Sequence, residues 1–273
     1  MHLEERKYRQ FLPESRRIVV KVGTRVIAQP SGRPVTRLMD GLARQIADLR
    51  RKGYEVVLVT SGAIGAGMDS LGIAKRPTDV PDLQMCAAVG QARLMATYEQ
   101  LFKAHHIKVG QVLLTHADFK HRIRFANARR TLENLLRHGV LPIVNENDVV
   151  ADEEVKASLS LGDNDHLAAL VVKMVRADLL VMLTTVDGVL APAAGNRHRR
   201  IPYIESLTPE ILKLVNPSSG GISKGGMDSK LQAAKIASRA GCSVLIANGR
   251  TPGILQKAVA GEDVGTLFLA NIL

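Results

Sequence analysis

The stretch Ile18-Val-Val-Lys-Val22, stopped by Gly23, and the stretch Glu55-Val-Val-Leu-Val-Thr60, running straight into Ser61-Gly-Ala-Ile-Gly-Ala-Gly67, decide the fold. Each is a short β-branched run with no polar alternation, which is how a strand buried on both faces reads. Between them, residues 38–52 carry helical spacing (Leu38, Leu42, Ile46, Leu49) and Gly53 closes the helix. The pattern repeats outward. Helices are predicted over residues 83–105, 124–138, 165–176 and 230–240, and strands over 107–114, 140–144, 178–183 and 243–247. Strand–helix alternation of this kind predicts an α/β fold, a mostly parallel sheet covered by helices on both faces. Pro and Gly cluster only over residues 29–34 and 191–226, which read as loops or a small hairpin.

Composition fits one such domain. The chain has 273 residues, 46% apolar, which excludes a disordered chain. No run approaches about eighteen apolar residues, so no transmembrane helix is expected. The first seventeen residues are charged and lack an apolar core, so they are not read as a secretory signal. Residues 1–16 are read as an N-terminal extension and 17–273 as a single domain. Cys86 and Cys242 have no partner at ligand spacing, so neither zinc nor a disulfide framework is expected, and a cytoplasmic setting is the default.

Lys and Arg number 37 against 26 Asp and Glu, a net charge of +11. The densest basic stretch, residues 120–130, holds five Lys/Arg and a single aromatic, Phe125. Single-strand binders add stacking aromatics, so this stretch is read as a solvated helix face or an oligomer contact, and no nucleic-acid partner is expected.

In an open parallel sheet, ligands bind beyond the carboxyl ends of the strands. Four strand-ending turns are rich in small and polar residues: 21–24, 60–65, 145–148 and 184–188. Two further stretches, Gly162-Asp-Asn-Asp165 and residues 220–230, open helices. Gly23, Gly62 and Gly65 let backbone N–H groups approach phosphate oxygens, and the helix N-termini add donors. Lys21 and Lys230 suit neutralising charge on a transferring phosphoryl group. Asp148, Asp163 and Asp165 suit orienting those lysines, holding Mg2+, or gripping a cationic ligand group. Taken singly, each turn is ordinary loop chemistry. Six of them at one sheet edge point to phosphoryl transfer by positioning and electrostatics. Competing motifs fail on spacing: there is no Walker A string, no Rossmann glycine order, no Gly-x-Ser-x-Gly elbow and no zincin helix.

These residues resemble the amino-acid kinase family and, within it, the glutamate 5-kinases. The resemblance rests on Val19-Val-Lys-Val-Gly-Thr24, Val59-Thr-Ser-Gly-Ala-Ile64, Ala87-Ala-Val-Gly-Gln-Ala-Arg93, Val109-Gly-Gln-Val-Leu-Leu-Thr115 and Asn127-Ala-Arg129. It continues in Pro142-Ile-Val-Asn-Glu-Asn-Asp148, Gly162-Asp-Asn-Asp165, Gly225-Gly-Met-Asp-Ser-Lys-Leu-Gln-Ala-Ala234 and Val264-Gly-Thr-Leu-Phe268. No one piece is specific, but their order and spacing over residues 17–270 are.

The resemblance implies a three-layer αβα sandwich that moves the γ-phosphoryl group of ATP to the side-chain carboxylate of L-glutamate, giving γ-glutamyl 5-phosphate on the way to proline. By position, Lys21 and Lys230 would stabilise the transferred group, Gly23 and Gly62 would donate N–H bonds to it, and Asp165 would hold the lysines. Ser61, Asp148 and Asn164 would bind glutamate. The nucleotide would lie against Lys21, Thr184, Thr185, Lys224, Gly225, Gly226, Met227, Asp228, Ser229 and Lys230. Mg2+ is implied by the triphosphate, and feedback inhibition by L-proline and a homodimer or homotetramer are implied by the family. The alternatives are a sister kinase acting on N-acetylglutamate, aspartate or carbamate, and a non-catalytic ligand-binding member of the fold. Three departures stand out. Thr185 replaces the usual Asp of a Thr-Asp pair, Lys224 adds a cation to the glycine loop, and the chain stops where many relatives continue into a domain of the RNA-modifying type.

Overall fold

The apolar runs become the middle strands of one sheet in a computed structural model, which describes residues 7–29, 32–151, 164–193, 197–208, 211 and 226–270. In chain order, β1 (Arg17–Val22) leads through a single turn, α1 (Thr24–Ile27), to α2 (Thr36–Arg51) and β2 (Glu55–Val59). Helices α3 (Ala63–Ser70) and α4 (Val80–Lys103) follow, then β3 (Val109–Leu114), α5 (His116–Lys120), α6 (Arg122–Arg137) and β4 (Leu141–Glu146). The second half holds α7 (Asn164–Val175), β5 (Leu179–Thr184), a hairpin of β6 (Leu190–Ala193) and β7 (Arg197–Arg200), and β8 (Tyr203–Ile204). It ends with α8 (Met227–Arg239), β9 (Ser243–Asn248), α9 (Ile254–Val259) and β10 (Thr266–Phe268).

Eight strands form one sheet in the order β3-β4-β2-β1-β5-β9-β10-β8. The first six are parallel; β10 turns antiparallel to β9 and carries β8 parallel to itself. Side chains alternate between the two faces. Ile18, Val20 and Val22 of β1 join one core with Met39, Leu42 and Ile46 of α2, Leu94, Tyr98 and Phe102 of α4, and Ile254 and Leu255 of α9. Val19 points the other way, into a core with Leu132 of α6, Val171, Val172 and Val175 of α7, and Leu231 and Ala234 of α8. Burial on both faces is why these strands are continuously apolar, and the result is the expected three-layer sandwich.

The structure changes the sequence reading in detail. The fourth strand runs through Asn145 to Glu146 rather than stopping at Val144, because Asn145 pairs with Leu113 of β3. The helix expected from residue 230 begins at Met227, so Lys230 lies inside its first turns. A short extra helix, α5, precedes α6, held by a capping box between Thr115 and Asp118. The basic residues Arg122, Arg124 and Arg130 lie on the exposed face of α6.

Residues 7–16 pack onto this body. Leu12 is fully buried, and Arg9, 3% exposed, donates to the carbonyls of Pro202, Glu262, Val264 and Gly265. Among the described residues no helix is long and apolar enough to cross a membrane.

Candidate active site

The parallel strands all end at one rim, and the strand order switches sides at β1, with β2 and β5 flanking it on opposite sides. Such a switch point opens a crevice between the strand ends. Lys21, near the end of β1, stands in register with Val59 of β2 and Met182 of β5. It is 4% exposed, and Asp165, in the first turn of α7, is fully buried. Lys21 Nζ pairs with Asp165 Oδ1, and Lys230 Nζ of α8 donates to Asp165 Oδ2 at 2.8 Å. Ser229 Oγ donates to the same Oδ2 at 2.9 Å and also reaches the Gly226 carbonyl. Three residues separated by up to 209 positions in the chain thus meet in one buried ion cluster. Two ammonium groups converging on one carboxylate are held in place without freely rotating stems, the form that electrostatic preorganisation takes.

Two glycines open space beside this cluster. A Cβ on Gly23 would sit 3.7 Å from Lys21 Nζ, on the ground in front of the ammonium, while its N–H makes a long 3.4 Å bond to the Leu183 carbonyl. Gly62 caps α3 at φ +110°, a backbone state that a side chain strains, and the helix N-terminus there faces the crevice end of β2. The position of α3 depends on close approach to α4. A Cβ on Gly90 would lie 1.8 Å from the Ala63 carbonyl, so only glycine lets the helices meet at that distance.

Beside the ion cluster lies a network of buried amides. Asn164, next to Asp165, is 4% exposed. Its Nδ2 donates to the Thr60 carbonyl and to Asn145 Oδ1 (2.8 Å), with Ser61 Oγ at 3.3 Å. Asn145 Oδ1 also accepts from the Glu146 N–H (2.9 Å), and its Nδ2 donates to Gln91 Oε1 of α4 (2.8 Å). Below, Thr60 Oγ1 pairs with the hydroxyl of Tyr98 at 2.7 Å, whose complete burial pushes the phenol pKa up. Alongside, His116 and His166 face each other with ring centroids 5.3 Å apart. Burial lowers both imidazole pKa values, aided by Lys120 at His116 and by His116 at His166.

The structure therefore brings together Lys21, Asp165, Lys230, Ser229, Gly23, Gly62, Ser61 and Asn164. Asp148 sits half-buried in the turn just past β4. Thr184 ends β5 opposite Asn248, with Thr185 next to it, half-buried. Asp187, two residues on, is exposed and held by Asn248 Nδ2 at 2.9 Å, so this loop retains a carboxylate despite Thr185. Gly226 caps α8, whose first turn carries Met227 and Asp228. Lys224 and Gly225, like Gly162 and Asp163, lie outside the described residues. The sequence reading placed Thr60 and Asn145 only within the strand-ending turns 60–65 and 145–148, and gave no role to Gln91 or Tyr98. Gln91 was nevertheless marked: it falls four residues after Ala87 and three before Leu94, both buried, so a polar side chain occupies the apolar stripe of α4.

Comparison with known proteins agrees with this geometry. The family model described as the amino acid kinase family matches residues 16–248. A glutamate 5-kinase of Geobacter sulfurreducens is 45% identical over 261 residues, covering 95% of this chain and 69% of that protein. One of Moorella thermoacetica is 44% identical, covering 98% and 70%. Among solved structures, the carbamate kinase of Giardia lamblia bound to AMP-PNP superposes with a TM-score of 0.65 at 17% identity, covering 94% of this chain and 99% of that one, a likeness of fold alone. On sequence, fold and matched span together, the chain belongs to the amino acid kinase family, in its glutamate 5-kinase branch.

Proposed function

We propose that this protein transfers the γ-phosphoryl group of ATP to the side-chain carboxylate of L-glutamate. The observation that carries the mechanism is the Lys21–Asp165–Lys230 cluster beside Gly23 and Gly62, set in a chain 45% identical to a glutamate 5-kinase. A glutamate oxygen forms a bond to the γ-phosphorus as the bond to the β–γ bridging oxygen breaks, and ADP leaves. The acceptor carboxylate is ionised at neutral pH, so no general base is required. Lys21 and Lys230 offset the charge that builds on the phosphoryl oxygens and leaving group, and Asp165 fixes both ammonium groups. Gly23 leaves room for the phosphate next to Lys21, and the N-terminus of α3 at Gly62 points donors at it. Ser61, Asn164 and Asp148 hold glutamate; Thr184, Thr185 and the start of α8 hold the nucleotide.

Mg2+ completes the site as the partner of the triphosphate, neutralising charge on its oxygens. It fits a site in which phosphates supply most ligands, since the described residues assemble no trio of carboxylate or imidazole ligands. Residues 17–273 act as one domain, cytoplasmic and assembled as a homodimer or homotetramer, and L-proline competes for the glutamate pocket.

Hydroxylamine trapping tests the activity: ATP and glutamate should yield a hydroxamate. Turnover with N-acetylglutamate, aspartate or carbamate but not glutamate would overturn the reading. Lys21→Ala and Lys230→Ala should each lower turnover by about 10²–10⁴. Unchanged kinetics in both would remove the proposed mechanism.

A further inference from the structure

The amide network ends on a donor that has nothing to donate to. Asn145 Oδ1 is occupied by the Glu146 N–H and Asn164 Nδ2, so Asn145 must turn its Nδ2 toward Gln91. Gln91 therefore answers with Oε1, and its amide cannot be flipped without setting donor against donor. That leaves Gln91 Nε2 buried, with no hydrogen-bond partner among the described residues. A buried amide N–H2 without an acceptor is costly, and in a native site it calls for a reason.

Its place suggests one. Asp165 and Asn164 are consecutive in α7, and the contacts Asn164–Asn145 and Asn145–Gln91 lead stepwise away from the ion cluster. If phosphoryl transfer occurs at the lysines, a bound amino diacid extends along this line, and its unreactive end reaches the neighbourhood of Gln91. We propose that Gln91 is a specificity residue of the acceptor pocket, its Nε2 donating to an oxygen of the α-carboxylate of the amino-acid substrate. The proposal rests on the kinase reading above and adds to it the residue that recognises the end remote from the chemistry. The bound carboxylate supplies the acceptor missing from the free protein, and an amide rather than an ammonium fits there because the lysine charges are reserved for the phosphoryl end.

Two variants separate contact with substrate from support of Asn145. Gln91→Leu removes both functions. Gln91→Glu keeps an oxygen for Asn145 Nδ2 but sets a carboxylate against the substrate's own. Steady-state kinetics at pH 8, with calorimetric titration of glutamate onto nucleotide-free protein, read the result, and thermal unfolding checks folding. The proposal expects KM and Kd for glutamate to rise about 10- to 100-fold in Gln91→Leu, the range for losing a hydrogen bond to a charged group. They should rise further in Gln91→Glu, with kcat and KM for ATP changed less than about threefold in both, as loss of uniform binding requires. A Gln91→Glu enzyme with the wild-type KM for glutamate would overturn it, since Gln91 would then serve only to hold Asn145. A fall in kcat coupled to a raised KM for ATP would overturn it too. Failure of the kinase reading shows separately, as wild-type protein that makes no hydroxamate from glutamate.

Discussion

Asp165→Asn tests the ion cluster most directly. The side chain keeps its shape but loses its charge, and it turns an N–H2 toward one of two ammonium groups that are 4% (Lys21) and 9% (Lys230) exposed. In the native protein Asp165 accepts from Lys230 Nζ at 2.8 Å and pairs with Lys21 Nζ on its other oxygen. The hydrogen bonds that Oδ2 accepts from Lys230 Nζ and Ser229 Oγ contribute about 1.5–3 kcal/mol each, so the two sum to about 3–6 kcal/mol. Removing one partner of a buried ion pair independently suggests about 3–5 kcal/mol. The two routes agree. At about 2–4 °C per kcal/mol for a domain of this size, the unfolding midpoint should fall by about 6–20 °C. Turnover at a temperature where the variant is still folded should fall by about 10²–10³, because the lysines lose the group that aims them. Differential scanning calorimetry and hydroxamate formation are the assays. A variant within about 2 °C and threefold of wild type would show that the cluster neither holds the fold nor orients the lysines.

Three other perturbations probe what surrounds the cluster. Gly90→Ala places a methyl 1.8 Å from the Ala63 carbonyl and 2.3 Å from the Gly67 nitrogen, so α3 must shift; overpacking of about 1–3 kcal/mol and a lower kcat are expected, and a variant with native stability and turnover would contradict the close packing. Arg9→Met removes a buried guanidinium that holds four carbonyls, which should cost more than the ~1.5–3 kcal/mol of a single hydrogen bond to a charged group and speed hydrogen exchange in β8 and β10 while leaving kcat intact; unchanged exchange would show that residues 7–16 do not brace that edge. His116 and His166 have lowered pKa values, so below about pH 6.5 the unfolded chain binds the extra protons and stability falls as pH drops. With Lys120 also near His116, His166→Gln should flatten the loss of urea midpoint as pH falls below about 6.5, and an unchanged slope would refute the coupling.

The parallel half of the sheet was legible because burial on both faces leaves little but Val, Ile and Leu in β1, β2, β5 and β9, and α2 because its stripe is regular. The far edge was not. β8 and β10 have two and three residues, too few to show any alternation, and they are fixed by contacts from elsewhere. Thr266 Oγ1 donates to the Ile201 carbonyl and accepts from the Val189 N–H, and Arg200 donates to the Gly265 carbonyl and to Asp263. These are long-range contacts that no local window contains. The helix at His116–Lys120 did leave a trace, the Thr115-x-x-Asp118 capping signature, but it is one turn long and stands directly against a longer helix.

The site divides in the same way. Lys21, Gly62 and Asp165 lie at strand ends and helix starts, where topology alone sends ligands, so their residue types read as chemistry from the sequence. Asn145 and Gln91 could not be weighed in that way. Asn145 reads as one small polar residue of the strand-ending turn 145–148, and Gln91 as an ordinary polar position midway along a helix of 24 residues. What distinguishes them is mutual: Asn145 is forced to offer its amide N–H2 because its oxygen is taken, and Gln91 is forced to answer with oxygen because of Asn145. Orientation propagates along such a chain of amides, from the Asn164 side chain beside the lysine cluster to Gln91 in the middle of α4. A sequence names the members of that chain but not its polarity, and the polarity determines whether the last group presents a donor or an acceptor to the substrate.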